Sequence, residues 1–469
     1  MYIGGQLVAT SSPQKVELPY DGSYVATVYR ASDREVDAAV TAAKAAAPIM
    51  RESTLDERAT ILRKAYERSL AAREELALAV SSECGKPIKE ARIEVERAAQ
   101  TLLVSSEEAH RLHGEVVPMD AAPAGKNRWA MTVREPVGVI AAITPFNFPL
   151  NLAMHKIGPA IAAGNTVVHK PASTTPLSAL KMAAIFDACG LPQGALNVIT
   201  GPGGTIGDML VTHPDVAMIT FTGSVEVGVR LRGLAGLKRV TLELGNNSAV
   251  ILEEDADLDQ AVPRCVAGAF AHSGQVCISV QRIFVHRRIY AEFLERFTDA
   301  VRRLKMGHPH DPETDISSLI TVPEAERVES WIAEATAAGA QLVTGGARRR
   351  ATIEPAVLAE VPPETRLARG EAFGPVVGVN AYDSLDEAIA RVNASDYGLQ
   401  AGIYTRDLEK AFYAARRVQV GGFLINEVPA YRLDHMPYGG VKMSGMGREG
   451  PKYAIEEMTE MKLIAWKVS

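Results

Sequence analysis

The chain has 469 residues, 47% of them hydrophobic and 23% charged, with a formal net charge of -6. That length suits two domains better than one core, and the acidic balance leaves no basic footprint for nucleic acid. No apolar run reaches the roughly 18 to 20 residues needed to span a membrane. The opening MYIGGQLVAT lacks the basic and then apolar stretches of a secretory signal. The four cysteines, Cys84, Cys189, Cys265 and Cys277, form no CxxC pair and are too sparse for a disulfide framework. A soluble protein of a reducing, cytoplasmic compartment is expected.

Residues 33 to 113 are predicted helical. A first helix starts with Asp33 as N-cap. A second runs from Asp56 through apolar residues at helical spacing and stops at Gly85 and Pro87. A third, beginning IKEARIEVE, stops at Gly114. RWAMTVREP then alternates loosely, as a strand does. From Glu135 to about Glu243 short apolar runs (VGVIAAITP, NTVVHKP, ALNVITG, AMITFTG, RVTLELG) alternate with amphipathic helices. Buried strands separated by helices predict an α/β protein with a doubly wound parallel sheet. Ligands of such sheets bind beyond the strand C-termini. Those ends carry TPFNFP, HKPAS, TGPGG, FTGS and ELGNN, rich in Gly, Pro, Asn, Ser and Lys. A second α/β pattern starts near residue 246, and the Gly-rich YGGVKMSGMGREG precedes a polar helix and a short final strand.

Cys277 in HSGQVCIS has polar neighbours, unlike a cysteine that packs as a small hydrophobe. The stretch reads as a loop or helix start, where backbone N–H groups favour a thiolate. The other three cysteines lie in helical patterns and read as packing residues. Glu243 ends a strand; alone, it fits a solvated strand end as well as a cleft carboxylate. Asn147, between two prolines, fits a turn as well as an oxyanion donor. FTGSVEVG brings Gly223 to a strand-to-helix junction that suits a phosphate, and Lys170 alone reads as a surface lysine.

Taken in order, TPFNFP, HKPAS, FTGSVEVG, LELG, GQVC and EAFGPV resemble the aldehyde dehydrogenase superfamily, over nearly the whole chain. The resemblance implies that fold: a cofactor domain at 1–114 and 136–244, a second α/β catalytic domain at 245–445, and a small β oligomerisation segment at 115–135 and 446–469. It implies oxidation of an aldehyde with NAD or NADP. Cys277 would be the nucleophile, passing through a thiohemiacetal and a thioester, with Asn147 and the Cys277 N–H as oxyanion hole and Glu243 as general base. Glu371 and Phe373 would meet the nicotinamide side. Lys170, Ser173, Gly223 and Ser224, with Thr144, Pro145, Phe146, Gly203, Val227, Leu244 and Gly245, complete the implied cofactor set. Many NAD-preferring members carry glutamate where Ser173 stands, so acceptance of NADP, or a preference for it, is expected. No metal is implied, and no ligand cluster shows metal spacing. Asn246 departs from the family's second glycine, and DPETDISSLI lacks a common Gly-Pro.

For the substrate, Asn151 and His155 are four apart and share a helix face, which by resemblance lines the tunnel. With Arg111, Arg432 and His435 they suggest a small polar or anionic aldehyde. Plainer readings are a local cap for His155 and interdomain ion pairs for the arginines. The implied branch includes lactaldehyde, succinate-semialdehyde, non-phosphorylating glyceraldehyde-3-phosphate and phosphonoacetaldehyde dehydrogenases. A homodimer or homotetramer is expected, with no nucleic acid or membrane as partner. Alternatives on the same fold are a CoA-acylating enzyme, which typically lacks the base glutamate, and a catalytically silent protein.

Overall fold

The computed structural model describes residues Met1–Val468. Among these, no helix is long and apolar enough to cross a membrane, and no group of three or more His, Cys, Asp or Glu is disposed to hold a metal ion.

The strands Val139–Ile143 and Thr166–Lys170 are buried at every position. They lie inside an eight-stranded sheet whose order is Gln6–Leu7, Tyr2–Ile3, Leu196–Val198, Thr166–Lys170, Val139–Ile143, Val216–Thr222, Arg239–Glu243 and Gly445–Met446. The middle five strands are parallel. The outer ones run antiparallel. The chain moves one way from Val139–Ile143 to Leu196–Val198 and then reverses to reach Val216–Thr222. That switch point opens a crevice at the C-terminal edge. A second sheet orders Gln341–Thr344, Ala356–Ala359, Val376–Tyr382, Val280–His286, Ser248–Leu252, Gln400–Tyr404 and Gly422–Ile425. It is parallel except at its Gln341–Thr344 edge. The chain is α/β, as its sequence pattern predicts.

The helical stretch differs in detail. Ser32, not Asp33, caps the helix Asp33–Glu52, in a capping box with Glu35. The single helix expected from Asp56 is two, Leu55–Ala71 and Arg73–Cys84. Ala72 leaves helical geometry (φ -93°, ψ 15°), while its N–H closes the first helix on Arg68. Both halves keep an apolar face toward the helix Ile88–Ala109, so periodicity runs through the break unchanged. Gly85 ends the pair in the left-handed region (φ 70°).

The final strand Thr459–Lys467 pairs antiparallel with Arg128–Pro136 along its length, and Val116–Val117 adds a third strand. Trp129, Leu463 and Trp466 stand exposed there. The rest of 446–469 departs from expectation. Gly445–Met446 joins the first sheet, and Pro451–Glu457 packs on Asn151–Ala162 and Ile88–Ala109. The cause is apolar: Ala454 and Ile455 are buried in the same core as Leu102 and Ile157.

Leu102 sits at the centre of that core with no exposed surface. Leu102→Ala is expected to cost about 2–5 kcal/mol, by lost burial and the cavity left behind. Urea denaturation of the two proteins measures it.

Candidate active site

Cys277 lies in the turn between a short 3-10 segment, Ala271–Gly274, and the strand Val280–His286. It is therefore not at a helix N-terminus, and no helix dipole is available to its sulfur. Three consecutive residues before it take left-handed backbone: His272 (φ 47°), Ser273 (φ 54°) and Gly274 (φ 74°). Left-handed geometry costs a non-glycine residue roughly 1–2 kcal/mol, so the loop needs anchors. His272 N–H donates to Glu90 (2.7 Å), Ser273 Oγ to Ser317 O (3.0 Å), and Gln275 Oε1 accepts from Ile320 N–H (2.9 Å). At Gly274 a Cβ would lie 2.1 Å from Gly374 O, so only glycine lets this loop pass the following one. Cys277 is partly exposed, whereas Cys84, Cys189 and Cys265 are buried. Burial pushes the Cys277 thiol up to about 11, against a hydrogen bond from Tyr438, whose hydroxyl oxygen is 2.9 Å from Sγ.

Asn147 approaches from the first sheet, on the loop between Val139–Ile143 and the helix Asn151–Ala162. Its Nδ2 donates one hydrogen to Gln275 O at 2.8 Å, which leaves the second N–H of the amide free to donate. Glu243 ends its strand buried, not solvated. Neither carboxylate oxygen has a hydrogen-bond partner. Burial, and then the charge of Glu449, hold this carboxyl well above the usual range. Glu449 itself accepts from Lys156 (2.8 Å) and Arg432 (3.1 Å). Burial pushes Glu449 up, but those two cations outweigh it and bring it down to about 2.

Both loops hang on the helix Ile88–Ala109. Glu94 accepts from Leu150 N–H (2.9 Å) and Asn151 N–H (3.1 Å), and so caps a helix whose own N-cap, Leu150, offers no side-chain bond. Its other oxygen takes the fully buried Lys86, whose ammonium lies 3.7 Å from the Phe148 ring centre. Glu90, one turn earlier, holds the Cys277 loop through His272, and burial pushes it up to about 7.

The polarity of Asn151 and His155 has an internal cause that sequence reading missed. Both reach Asp434 Oδ1, at 3.2 and 2.9 Å, and Arg97 forks onto the same carboxylate at 2.9 and 3.2 Å. Burial, then the charge of Arg432, lower the His155 pKa, against the hydrogen bond to Asp434. Arg432 Nη2 is 3.2 Å from His155 Nε2, and its guanidinium stacks 3.6 Å from the Tyr438 ring centre. Its buried Nε has no partner. Arg111 is not brought to this group: it is exposed, paired to Glu108 at 2.6 Å, on a surface cavity with Arg134 and Lys452. It lies past the end of Ile88–Ala109, where the chain has already reached solvent. His435 is exposed beside Asp434.

The C-terminal edge of the first sheet collects the remaining residues. Thr144 Oγ1 meets His169 (2.9 Å), and Phe146 stands edge-on to Phe373 at 5.8 Å. Phe373 takes φ 48°. Lys170 is buried, donates to Pro171 O, and is brought down to about 8 by burial. Ser173 Oγ donates to Gly201 O at 2.7 Å. Gly203 opens the helix Gly203–Thr212, and Ser224 caps Val225–Leu234 through Val227 N–H. A Cβ on Gly223 would strike the Phe221 ring at 2.5 Å. Glu371 accepts from Asn246 N–H (2.9 Å) and is pushed up to about 7 by burial. A Cβ on Gly245 would lie 2.5 Å from that carboxylate. Leu244 N–H donates to Ser444 O. Asn246 therefore keeps the glycine-like backbone bond, while its side chain ties Ser248 and Leu399 N–H. A buried lysine, a capped helix start and the Glu371 carboxylate with one oxygen bonded to Asn246 N–H, spaced by glycines, fit a ribose and phosphate ligand such as a nicotinamide dinucleotide.

The aldehyde dehydrogenase family model matches residues 8–464, and the chain belongs to that family. It is 50% identical to a 3-sulfolactaldehyde dehydrogenase of Priestia aryabhattai, over 99% of this chain and 97% of that one. It is similar to aldehyde dehydrogenase 21 from Physcomitrella patens, solved with its reaction product succinate: TM-score 0.97, 40% identity, 99% and 97% of the two chains. A glyceraldehyde-3-phosphate dehydrogenase from Methanocaldococcus jannaschii, complexed with NADP, matches with TM-score 0.93 and 39% identity, over 97% and 98%. The protein is an aldehyde dehydrogenase.

Lys156, Asp434, Glu449 and Tyr438 escaped sequence reading. One signal was available: a lysine in the largely apolar LNLAMHKIGPA, beside the polar Asn151 and His155, implies a buried partner. Glu94→Ala would leave Lys86 buried and unpaired and free two N–H groups. A loss of about 3–5 kcal/mol is expected, read by guanidinium denaturation.

Proposed function

We propose that this enzyme oxidises a small anionic aldehyde to its carboxylic acid, with Cys277 as nucleophile and water as acyl acceptor. The observation that carries the substrate class is the buried, unpartnered Nε of Arg432 beside Tyr438, which touches the sulfur. A buried arginine with a free donor suits a sulfonate, carboxylate or phosphate. The sulfolactaldehyde dehydrogenase relative supports a three-carbon hydroxyaldehyde ending in such a group.

Sγ attacks the carbonyl carbon, and the oxygen becomes an oxyanion. Asn147 offers its second Nδ2–H, and the backbone N–H of Cys277 offers another donor. A nicotinamide cofactor held there would supply the hydride acceptor for oxidation of the thiohemiacetal to the thioester. Lys170, Ser224 and Glu371 would hold that cofactor. Ser173 places no carboxylate against a 2′-phosphate, and the Lys170 charge favours one, so NADP is accepted. Glu243 takes a proton from the water that hydrolyses the thioester. A carboxyl already raised by burial and by Glu449 is a stronger base than a solvated one. Hydrolysis therefore speeds up as pH rises through the raised Glu243 pKa, and levels off above it. The exposed strand Thr459–Lys467 supports a homodimer or homotetramer built along it.

Cys277→Ala is expected to abolish reduced-cofactor formation, and full retention would sink the mechanism. Glu243→Gln is expected to slow thioester hydrolysis about 10²–10⁴-fold, leaving a burst of one equivalent in stopped-flow absorbance.

A panel of aldehydes tests the substrate class, with NAD and NADP in parallel and no CoA. It includes 3-sulfolactaldehyde, succinate semialdehyde, glyceraldehyde 3-phosphate, lactaldehyde and an uncharged medium-chain aldehyde. The anionic members are expected to give the higher kcat/KM. Arg432→Lys, which keeps the charge beside Glu449 but loses the fork, is expected to raise their KM about tenfold. It should change lactaldehyde little. Preference for the uncharged chain would overturn the substrate class. NADP efficiency below about a tenth of that with NAD would be a difference of more than about 1.4 kcal/mol and would overturn the cofactor reading.

A further inference from the structure

Tyr438 is buried. Its backbone is fixed by a two-way bridge with Glu449, N–H to O in both directions (3.1 and 2.6 Å). Its ring is fixed by the Arg432 guanidinium at 3.6 Å and packs with Ile278 and Leu399. The hydroxyl is thereby aimed, and among the described residues its hydrogen-bond partner is Sγ of Cys277, at 2.9 Å. Phenylalanine would fill the same apolar space and stack on the same arginine. The oxygen therefore serves the sulfur alone. A neutral thiol is a weak acceptor, whereas a charged acceptor roughly doubles the strength of the bond.

We propose that Tyr438 is a further catalytic residue, whose hydroxyl donates to the Cys277 sulfur whenever it carries negative charge. That happens twice in the reaction. Before attack, the partly exposed thiol has given its proton to solvent water and the lone pair is on sulfur. On hydrolysis, the C–S bond breaks with its electron pair returning to sulfur as the acid departs. Between the two, sulfur is neutral and the hydrogen bond is weak, so the hydroxyl favours the charged states at either end. The groups facing the sulfur are Tyr438, Arg432, Glu371 and Glu243. Arg432 and the hydroxyl favour the thiolate. Burial and the two carboxyls oppose it. Tyr438 is the one donor in contact with the sulfur.

The inference rests on Cys277 being the nucleophile. The test is the pH dependence of Cys277 alkylation by iodoacetamide in the full-length protein, quantified on the Cys277 peptide. Tyr438→Phe is expected to move the midpoint up by about one to two pH units. At neutral pH alkylation then slows at least about tenfold. The variant's kcat should fall with KM nearly held. Fluorotyrosine at position 438, a more acidic donor of nearly the same size, should move the midpoint down. This second variant guards against a Tyr438→Phe protein that melts early. An unchanged or lowered midpoint in Tyr438→Phe, or an unchanged or raised one with fluorotyrosine, overturns the role of Tyr438. Should Cys277→Ala stay inactive in that case, the nucleophile stands and only the tyrosine role falls. An active Cys277→Ala removes both.

Discussion

Two carboxylates one turn apart on the helix Ile88–Ala109 hold the loops of Cys277 and Asn147 together. Glu90 takes the N–H of His272, and Glu94 takes the N–H groups of Leu150 and Asn151. The first fixes the loop of Cys277, and the second fixes the loop of Asn147. These loops come from different sheets, and nothing in either sheet sets their separation. The helix does, because i and i+4 share one face at a fixed rise. Burying such carboxyls is costly. Lys86 offsets part of the cost as an ion pair with Glu94, and the carboxyl of Glu90, pushed up to about 7, moderates it further. The remaining link is direct: the amide of Asn147 donates to Gln275 O, two residues before the nucleophile.

A second polar group sits beneath the helix Asn151–Ala162 and sets the charge of the pocket. Glu449 and Asp434 both lie below the ordinary carboxylate range. Lys156 and Arg432 face the first, and Arg97 and His155 the second. Glu243 faces two of the same cations: Arg432 and Lys156, together with Arg448, favour its charged form, and burial and the charge of Glu449 outweigh them.

Much of this was legible in the sequence. The five parallel strands, and the motifs that gather at their C-terminal edge, follow from period and punctuation, which are local. Cys277, Asn147 and Glu243 were singled out because their motifs occur in order, and the roles proposed for them come from family resemblance. The partners of those residues were not legible. Asp434 is 279 positions from His155, and Glu449 is 293 from Lys156. An ion pair across that distance leaves no trace in spacing. Arg111 shows the converse error: it has the right chemistry, but a terminus that carries it to the surface. Tyr438 was inside a quoted motif and still unread, since YGG suggests a turn and not a hydroxyl aimed at sulfur.

The strained run His272–Ser273–Gly274 explains why so many anchors converge on one loop. A strand of the second sheet delivers Val280, but Cys277 must turn back over the edge of the first sheet. Only left-handed backbone makes that turn in three residues, and two of the three carry side chains. Relaxing them would swing Gln275 O away from Asn147, and Sγ away from Tyr438. Glu90, Ser317 and Ile320 prevent that by occupying the loop's backbone and side-chain polar groups. The same constraint accounts for Gly274, where a side chain would meet Gly374 O. The Gly374 loop carries Glu371 and Phe373, so the turn that places the sulfur also places the two residues assigned to the nicotinamide side. The loops of Cys277 and of Glu371 and Phe373 therefore meet at one close contact, and a substitution at Gly274 would move both at once.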